Sequence, residues 1–321
     1  MSASGTWRAD ALLLLTALIW GFAFVAQRLG MEHIGPFYFN GVRFFLGTLT
    51  LLPFVLHNNR SALRAALTRT MPVASLAGLV LFAGASLQQF GIVYTTAGKA
   101  GFITGLYVVL VPIMGLALGA RTRSSTWIGA LIAAGGMYLL SVQPPFSIGL
   151  GDGLVLASAL FWALHVLLIG RIAARHDWAL LAAGQFLTCA LLSMGIAFFT
   201  EDTAPQRMVN AAAPILYGGV LSVGIAYTLQ VIAQRKAQPA HAAVILSLET
   251  VFAALGGWLL LDEHLPPYLH DPPVAGMVAA GDAASYSVVA PTIEERAAGL
   301  TPSRKVPRDG EAQAEPKRHK E

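Results

Sequence analysis

The stretch Asp152–Arg171 reads DGLVLASALFWALHVLLIGR, and it repeats a segment near the start of the chain, Asp10–Arg28, which reads DALLLLTALIWGFAFVAQR. One constant offset sets Asp10 on Asp152, Ala17 on Ala159, Leu18 on Leu160 and Trp20 on Trp162. The offset continues without a gap. Arg43 meets Gln185, Phe44 meets Phe186, Pro72 meets Pro214 and Leu87-Gln88 meets Leu229-Gln230. Further on, Ile103 meets Ile245, Leu106 meets Leu248 and Tyr107 meets Glu249. Apolar sequence produces chance identities freely, but rarely places Trp, Pro and Gln in one register. The pattern reads as an internal duplication of a five-span unit.

Composition says what kind of spans these are. The 321 residues are 55% hydrophobic and 12% charged, with a mean hydropathy of +0.62. Soluble domains carry about 25% charged residues, so an all-α polytopic membrane protein is expected. Nine apolar runs are long enough to cross a hydrocarbon layer about 30 Å thick. They lie near 10–27, 36–56, 72–93, 97–118, 126–142, 152–171, 178–199, 212–233 and 242–261. Asp10 and Asp152 stand just before their spans, where a carboxylate can cap free N–H groups. Pro36, Pro72 and Pro214 are expected to begin spans, whereas Pro53 and Pro112 fall inside spans and predict kinks. The single cysteine, Cys189, excludes a disulfide framework. Arg8 before an apolar run raises a signal peptide. The run is long and ends in Gln-Arg rather than at small residues, so a retained first helix is expected.

The net charge of +4 is small, and its placement is more telling. Loops on the N-terminal side carry ten Lys and Arg residues: Arg8, Arg60, Arg64, Arg69, Arg121, Arg123, Arg171, Arg175, Arg235 and Lys236. The opposite side carries three: Arg28, Lys99 and Arg207. The positive-inside rule therefore sets the N-terminus in the cytoplasm. A unit of five spans is odd, so its copy enters the membrane from the other side. Two inverted repeats around a midplane site are a frequent transporter plan.

The residues also resemble a known family. Trp20-Gly21-Phe22-Ala23-Phe24-Val25, Arg43, Leu87-Gln88 through Gly105, Gly151-Asp152 through Phe161-Trp162-Ala163, and Leu248-Glu249 through Leu261-Asp262-Glu263-His264-Leu265 occur in the order and spacing of EamA-type drug/metabolite transporters. The resemblance covers residues 10–265. It implies ten helices in two inverted five-helix repeats, 10–142 and 152–265. It also implies a multi-pass plasma-membrane carrier, often an exporter of amino acids or other small metabolites, with a cavity lined by helices 1–4 and 6–9.

The resemblance stops after Leu265. A tenth helix is expected near residue 268, but Pro266, Pro267, Pro272 and Pro273 crowd its start, and Val274–Gly281 is too short to span. Asp282 at the centre of a longer run would cost about 2.5–3.5 kcal/mol. Residues 266–321 therefore read as a non-family, disordered tail, of the kind a frameshifted gene end would leave.

Ionisable and polar groups deep in spans are candidates for function by default. Glu249 is a candidate binding or proton-titrating carboxylate, the rival being a neutral interhelical hydrogen bond; its register partner is Tyr107. Arg43 suits a bidentate grip on a substrate carboxylate or a pairing with Glu249. His165 reads as a cavity hydrogen-bonder or as a satisfied interior group. Gln88, Gln230, Trp20 and Trp162 are matched by the duplication and read as cavity lining or as interhelical ties. The pairs Gly101/Gly105 and Gly115/Gly119 have small-xxx-small spacing and read as packing. Gly149-Leu150-Gly151-Asp152 resembles the GxGD signature of intramembrane aspartyl proteases, but no second buried Asp in the spans completes a pair. No metal-binding spacing, phosphate loop or cofactor motif is present. The expectation is a secondary transporter and not an enzyme, with protons, exchange or facilitated diffusion open as coupling. Its partners would be the bilayer, a small-molecule substrate and a second copy of the chain, not nucleic acid. The alternative is a membrane-embedded interaction protein or a transport-inactive remnant lacking helix 10.

Overall fold

Each regular element is a helix among the described residues, which in the computed structural model are 3–58, 63–120, 124–141, 148–202 and 204–264. The helices are α1 (Ala3–Gly30), α2 (Pro36–Asn58), α3 (Leu63–Val93), α4 (Ala97–Gly105), α5 (Tyr107–Ala117), α6 (Ser124–Ser141) and α7 (Leu150–Ile172). They continue with α8 (Trp178–Thr200), α9 (Pro205–Asn210) and α10 (Ala212–Leu216), then a π-helical segment (Tyr217–Tyr227). The series ends with α11 (Thr228–Gln234), α12 (Pro239–Leu246) and α13 (Glu249–Leu261). Among the described residues, eight helical stretches are long and apolar enough to cross a membrane. The fifth expected span forms α6, an 18-residue helix opening on Ser124-Ser125-Thr126, and is not among those eight. The expected tail 266–321 and its tenth helix lie outside the described residues.

The packing is that of a protein whose solvent is lipid. Large apolar side chains point outward, with Phe198 and Phe199 83% and 84% exposed, while Arg43, Gln88, Gln185, Gln230 and Glu249 are buried. Water-soluble proteins reverse this distribution. A helix suits the bilayer because its backbone satisfies itself; polar side chains then turn inward, where partners exist. α2 lies along α8, α3 along α7 and α8, and α1 along α13. Glycine makes the last approach possible. A Cβ on Gly21 would stand 2.2 Å from the Phe252 Cβ and 2.8 Å from the Glu249 carbonyl oxygen.

Several boundaries differ from expectation. Asp10 lies inside α1 rather than before it, and so binds a side chain on another helix instead of capping its own. Asp152 lies in the first turn of α7, where it accepts from the Gly149 N–H at 2.8 Å as expected of a cap, but it also holds two side chains. α3 starts nine residues before Pro72 and runs through it, because a proline removes one ladder bond without stopping a well-packed helix. Gly101 and Gly105 pack closely on Ala253 and Thr250, as the spacing predicts. Gly119 does not. With φ of +77° it terminates α5, its N–H bonding to Leu116 while that of Ala120 bonds to Gly115, a Schellman ending that favours glycine.

Two spans are interrupted at the same register. Between α4 and α5, Leu106 has φ −59° and ψ −14°; between α12 and α13, Leu248 has φ −60° and ψ −14°. At both points bonds shorten to i→i+3, through Leu106 to Ile103 and Leu248 to Ile245. Pro112 is not the shared cause, since the second interruption has no counterpart to it. Side chains reach into the ladders instead: Thr250 Oγ1 donates to the Gly101 carbonyl, and Ser247 Oγ to that of Val244. Such insertions bend helices. Two glutamates brace neighbouring helix starts. Glu201 accepts from the N–H groups of Phe37 and Tyr38, and Glu263 from those of Ala97 and Gly98. Each carboxylate complements the positive end of a helix.

Candidate functional site

The interruptions aim two residues inward. Tyr107 is the first residue of α5 and Glu249 the first of α13, each near the middle of its span, and both face one central cavity. All eight residues singled out from the sequence line that cavity: Trp20, Arg43, Gln88, Tyr107, Trp162, His165, Gln230 and Glu249. Its volume is about 40 Å³, room for a few water molecules in this closed arrangement.

Each polar group is positioned by a distinct contact. Arg43 comes from α2 and is 2% exposed; its Nε donates to Asn40 Oδ1 at 3.0 Å. Its guanidinium carbon lies 5.4 Å from the ring centre of Phe39 and 4.9 Å from that of Phe44. These cation–π contacts partly replace the water a buried cation loses. Of the two readings of Arg43, the pairing with Glu249 is not formed: among the described residues the acid–base contacts are Lys99–Asp152 and His241–Asp10, the latter an ion pair only when the imidazole is protonated. Glu249 is 3% exposed, and the Tyr107 hydroxyl lies beside it without meeting hydrogen-bond geometry. The cavity thus holds a buried cation and a buried carboxyl with no ion pair between them, together with a phenol beside the carboxyl.

The remaining predicted residues divide into ties and open groups. Trp162 Nε1 donates to Gln88 Oε1 at 2.7 Å, Thr104 Oγ1 reaches the same oxygen at 3.4 Å, and Gln88 Nε2 donates to Gln27 Oε1 at 3.2 Å. His165 Nε2 meets Gln185 Oε1 at 2.8 Å, so the imidazole is held in place. Trp20 Nε1 turns away to the Ser222 carbonyl in the π-helical segment, 3.2 Å away. Gln230 Oε1 is buried and without a partner.

Sequence reasoning missed Gln27, Thr104, Ser222 and Tyr227, which line the same cavity. Tyr227 is an aromatic hub, its ring centre 4.5 Å from Trp20, 6.3 Å from Trp162 and 6.1 Å from His165. None of the four has a like residue at the repeat offset, where Ile169, Leu246, Val80 and Ala85 stand. Gln27 did carry a signal, as an amide at the end of an apolar run. Outside the spans, partial burial and the nearby Arg69 and Arg175 hold the His176 imidazole below its ordinary range. That end of the molecule is strongly cationic.

Comparisons with known proteins agree with this architecture. The model of the EamA-like transporter family matches residues 7–142 and 149–269. An uncharacterized transporter of Archaeoglobus fulgidus is 34% identical over 261 residues, covering 81% of this chain and 80% of that protein. The threonine/homoserine exporter RhtA of Escherichia coli is 25% identical over 276 residues, covering 80% and 84%. One solved crystal structure superposes with a TM-score of 0.69 at 19% identity, over 90% of this chain and 98% of that one, which speaks for the fold. With membrane-length helices around a polar central cavity and the family model matched over both halves, this chain belongs to the EamA-like transporter family.

Proposed function

We propose that the chain exports small metabolites, amino acids among them, as a secondary transporter of the plasma membrane with its N-terminus in the cytoplasm. The observation that carries this reading is the shared cavity of Arg43 and Glu249, which form no ion pair with each other. Buried opposite charges in a dry site are costly, and an amino acid brings one group for each. Its carboxylate meets the Arg43 guanidinium, and its ammonium meets Glu249 beside Tyr107. Trp20, Trp162, Tyr107, Gln88 and Gln230 shape the space between, and His165 holds one wall. The name of the Escherichia coli relative, a threonine/homoserine exporter, supports the same substrate class.

The cycle is alternating access, with inverted repeats 10–142 and 152–265 rocking around the cavity. Matching interruptions at Leu106 and Leu248 support two units built alike. When no substrate is bound, a proton on Glu249 can neutralise the carboxyl for the return step, which makes protons the coupling ion; a homodimer is the assembly to test beside it. The test is flux into proteoliposomes with Glu249→Gln and Arg43→Met. Each is expected to lower amino-acid flux at least about tenfold while the protein stays monodisperse, and full flux in both variants would sink the site assignment.

A further inference from the structure

Two acid–base contacts lie outside the cavity, an ion pair and an imidazole–carboxylate hydrogen bond, and the repeat offset relates them. Lys99 Nζ lies 2.6 Å from Asp152 Oδ2, and His241 Nε2 lies 2.7 Å from Asp10 Oδ1. Asp152 is the register partner of Asp10, and His241 is that of Lys99. Each pair joins the first helix of one half to an interrupted helix of the other: α1 to α12, and α7 to α4. The residue types differ, but the place in the fold is the same.

Their positions bracket the cavity. Lys99 shares a wide groove with Arg28, near the end of α1, and with Glu263. Asp10 is 18 residues before Arg28 on the same helix, a distance of about 27 Å at 1.5 Å per residue. Trp20, Ala23, Phe24 and Gln27, which line the cavity, lie between. One pair therefore stands toward each end of the molecule.

The lever arms also match. Lys99 is eight residues before Tyr107, and His241 is eight residues before Glu249. Each contact thus sits at the far end of a short helical arm, α4 or α12, whose other end is the interruption that presents a cavity residue. A tightened turn inside a long helix is a place for a hinge. Both pairs are closed in this structure.

We propose that Lys99–Asp152 and Asp10–His241 are the two end latches of the transport cycle, each opening the cavity to its own membrane face when it breaks. The inference rests on the alternating-access reading above. It adds the parts that move and the contacts that hold them. Contacts present in one state and absent in another set the balance between states. Neutralising one latch therefore favours opening at that end alone.

The experiment uses the full chain in oriented membrane vesicles, with Cys189→Ala removing the native thiol and Ser222→Cys placing a reporter in the cavity. A membrane-impermeant maleimide is added from one face or the other. Lys99→Gln is expected to raise the labelling rate about tenfold from the Lys99 face only, and Asp10→Asn by a similar factor from the opposite face only. The exchanged pair, Asp10→His with His241→Asp, is expected to return labelling to the parental rate. Unchanged labelling, or an equal rise from both faces, overturns the proposal. Should the neutralised variants fail to assemble, the charge-keeping Lys99→Arg and Asp10→Glu take their place: a rise in labelling from one face each is expected, and unchanged labelling overturns the proposal. Face-selective labelling without amino-acid flux would sink the transport reading alone. Flux with unaltered labelling would sink the latches alone.

Discussion

Gln88 and Gln230 occupy equivalent positions in the two halves, and their surroundings are opposite in kind. Gln88 is tied on both sides of its amide, to Trp162, Thr104 and Gln27. Gln230 keeps a buried acceptor without a partner. The cause is legible residue by residue. Where Thr104 donates to Gln88 and Gln27 accepts from it, the equivalent positions hold Leu246 and Ile169, whose side chains can do neither. The remaining equivalent, Trp20, is drawn off by the Ser222 carbonyl. The π-helical segment carrying Ser222 corresponds to part of the unbroken α3 in the first half. Wide turns of this kind cluster at functional sites. Two glutamines matched by the offset thus sit in unlike surroundings, one braced by its neighbours and one with an open acceptor.

That contrast can be broken first at the helix contacts. Gly21 and Ala163 are equivalent positions by the offset, and Gly21 sits hard against the backbone of α13. Gly21→Ala is expected to lower stability by about 3 kcal/mol through overpacking, and Ala163→Gly by about 1 kcal/mol through helix propensity. Thermal unfolding in detergent orders the two, and equal losses would remove the distinction. Next in size, Gln88→Leu strands the Trp162 Nε1–H and the Gln27 Oε1, at about 2 kcal/mol. Gln230→Leu strands far less and is expected to change stability by under about 0.5 kcal/mol, yet to lower flux several-fold. A stability loss as large as that of Gln88→Leu would show that Gln230 is a tie after all. The smallest effect is a repair: Leu246→Thr gives Gln230 the hydroxyl that Gln88 enjoys and is expected to stabilise by about 0.6 kcal/mol. A matching decline in flux would sharpen the division between braced and open halves.

The sequence was most informative where duplication and burial cost acted together. Trp20 with Trp162, and Gln88 with Gln230, were visible because the offset preserved unusual residues; Arg43 and Glu249 were visible because charge is rare inside a span. All of them reached the cavity. Tyr227 and Ser222 were hidden because their equivalents are Ala85 and Val80, and because the π-helical geometry that turns them inward leaves no pattern in apolar sequence. Helix starts were misjudged at Asp10 and Pro72 for one reason. Both residues were read as boundaries from local chemistry, whereas tertiary packing carried α1 and α3 straight past them.

Glu263 carries a practical lesson for anyone trimming the gene. It stands beyond the last membrane-length helix among the described residues, after a left-handed Asp262, and looks expendable by hydropathy alone. Yet its carboxylate takes up the first two N–H groups of α4, the arm that ends in Tyr107. A shortened gene stopping at codon 261 would keep the eight long apolar helices of the described residues while unmooring the front of that arm. The stretch that this arm requires therefore reaches at least two codons past Leu261.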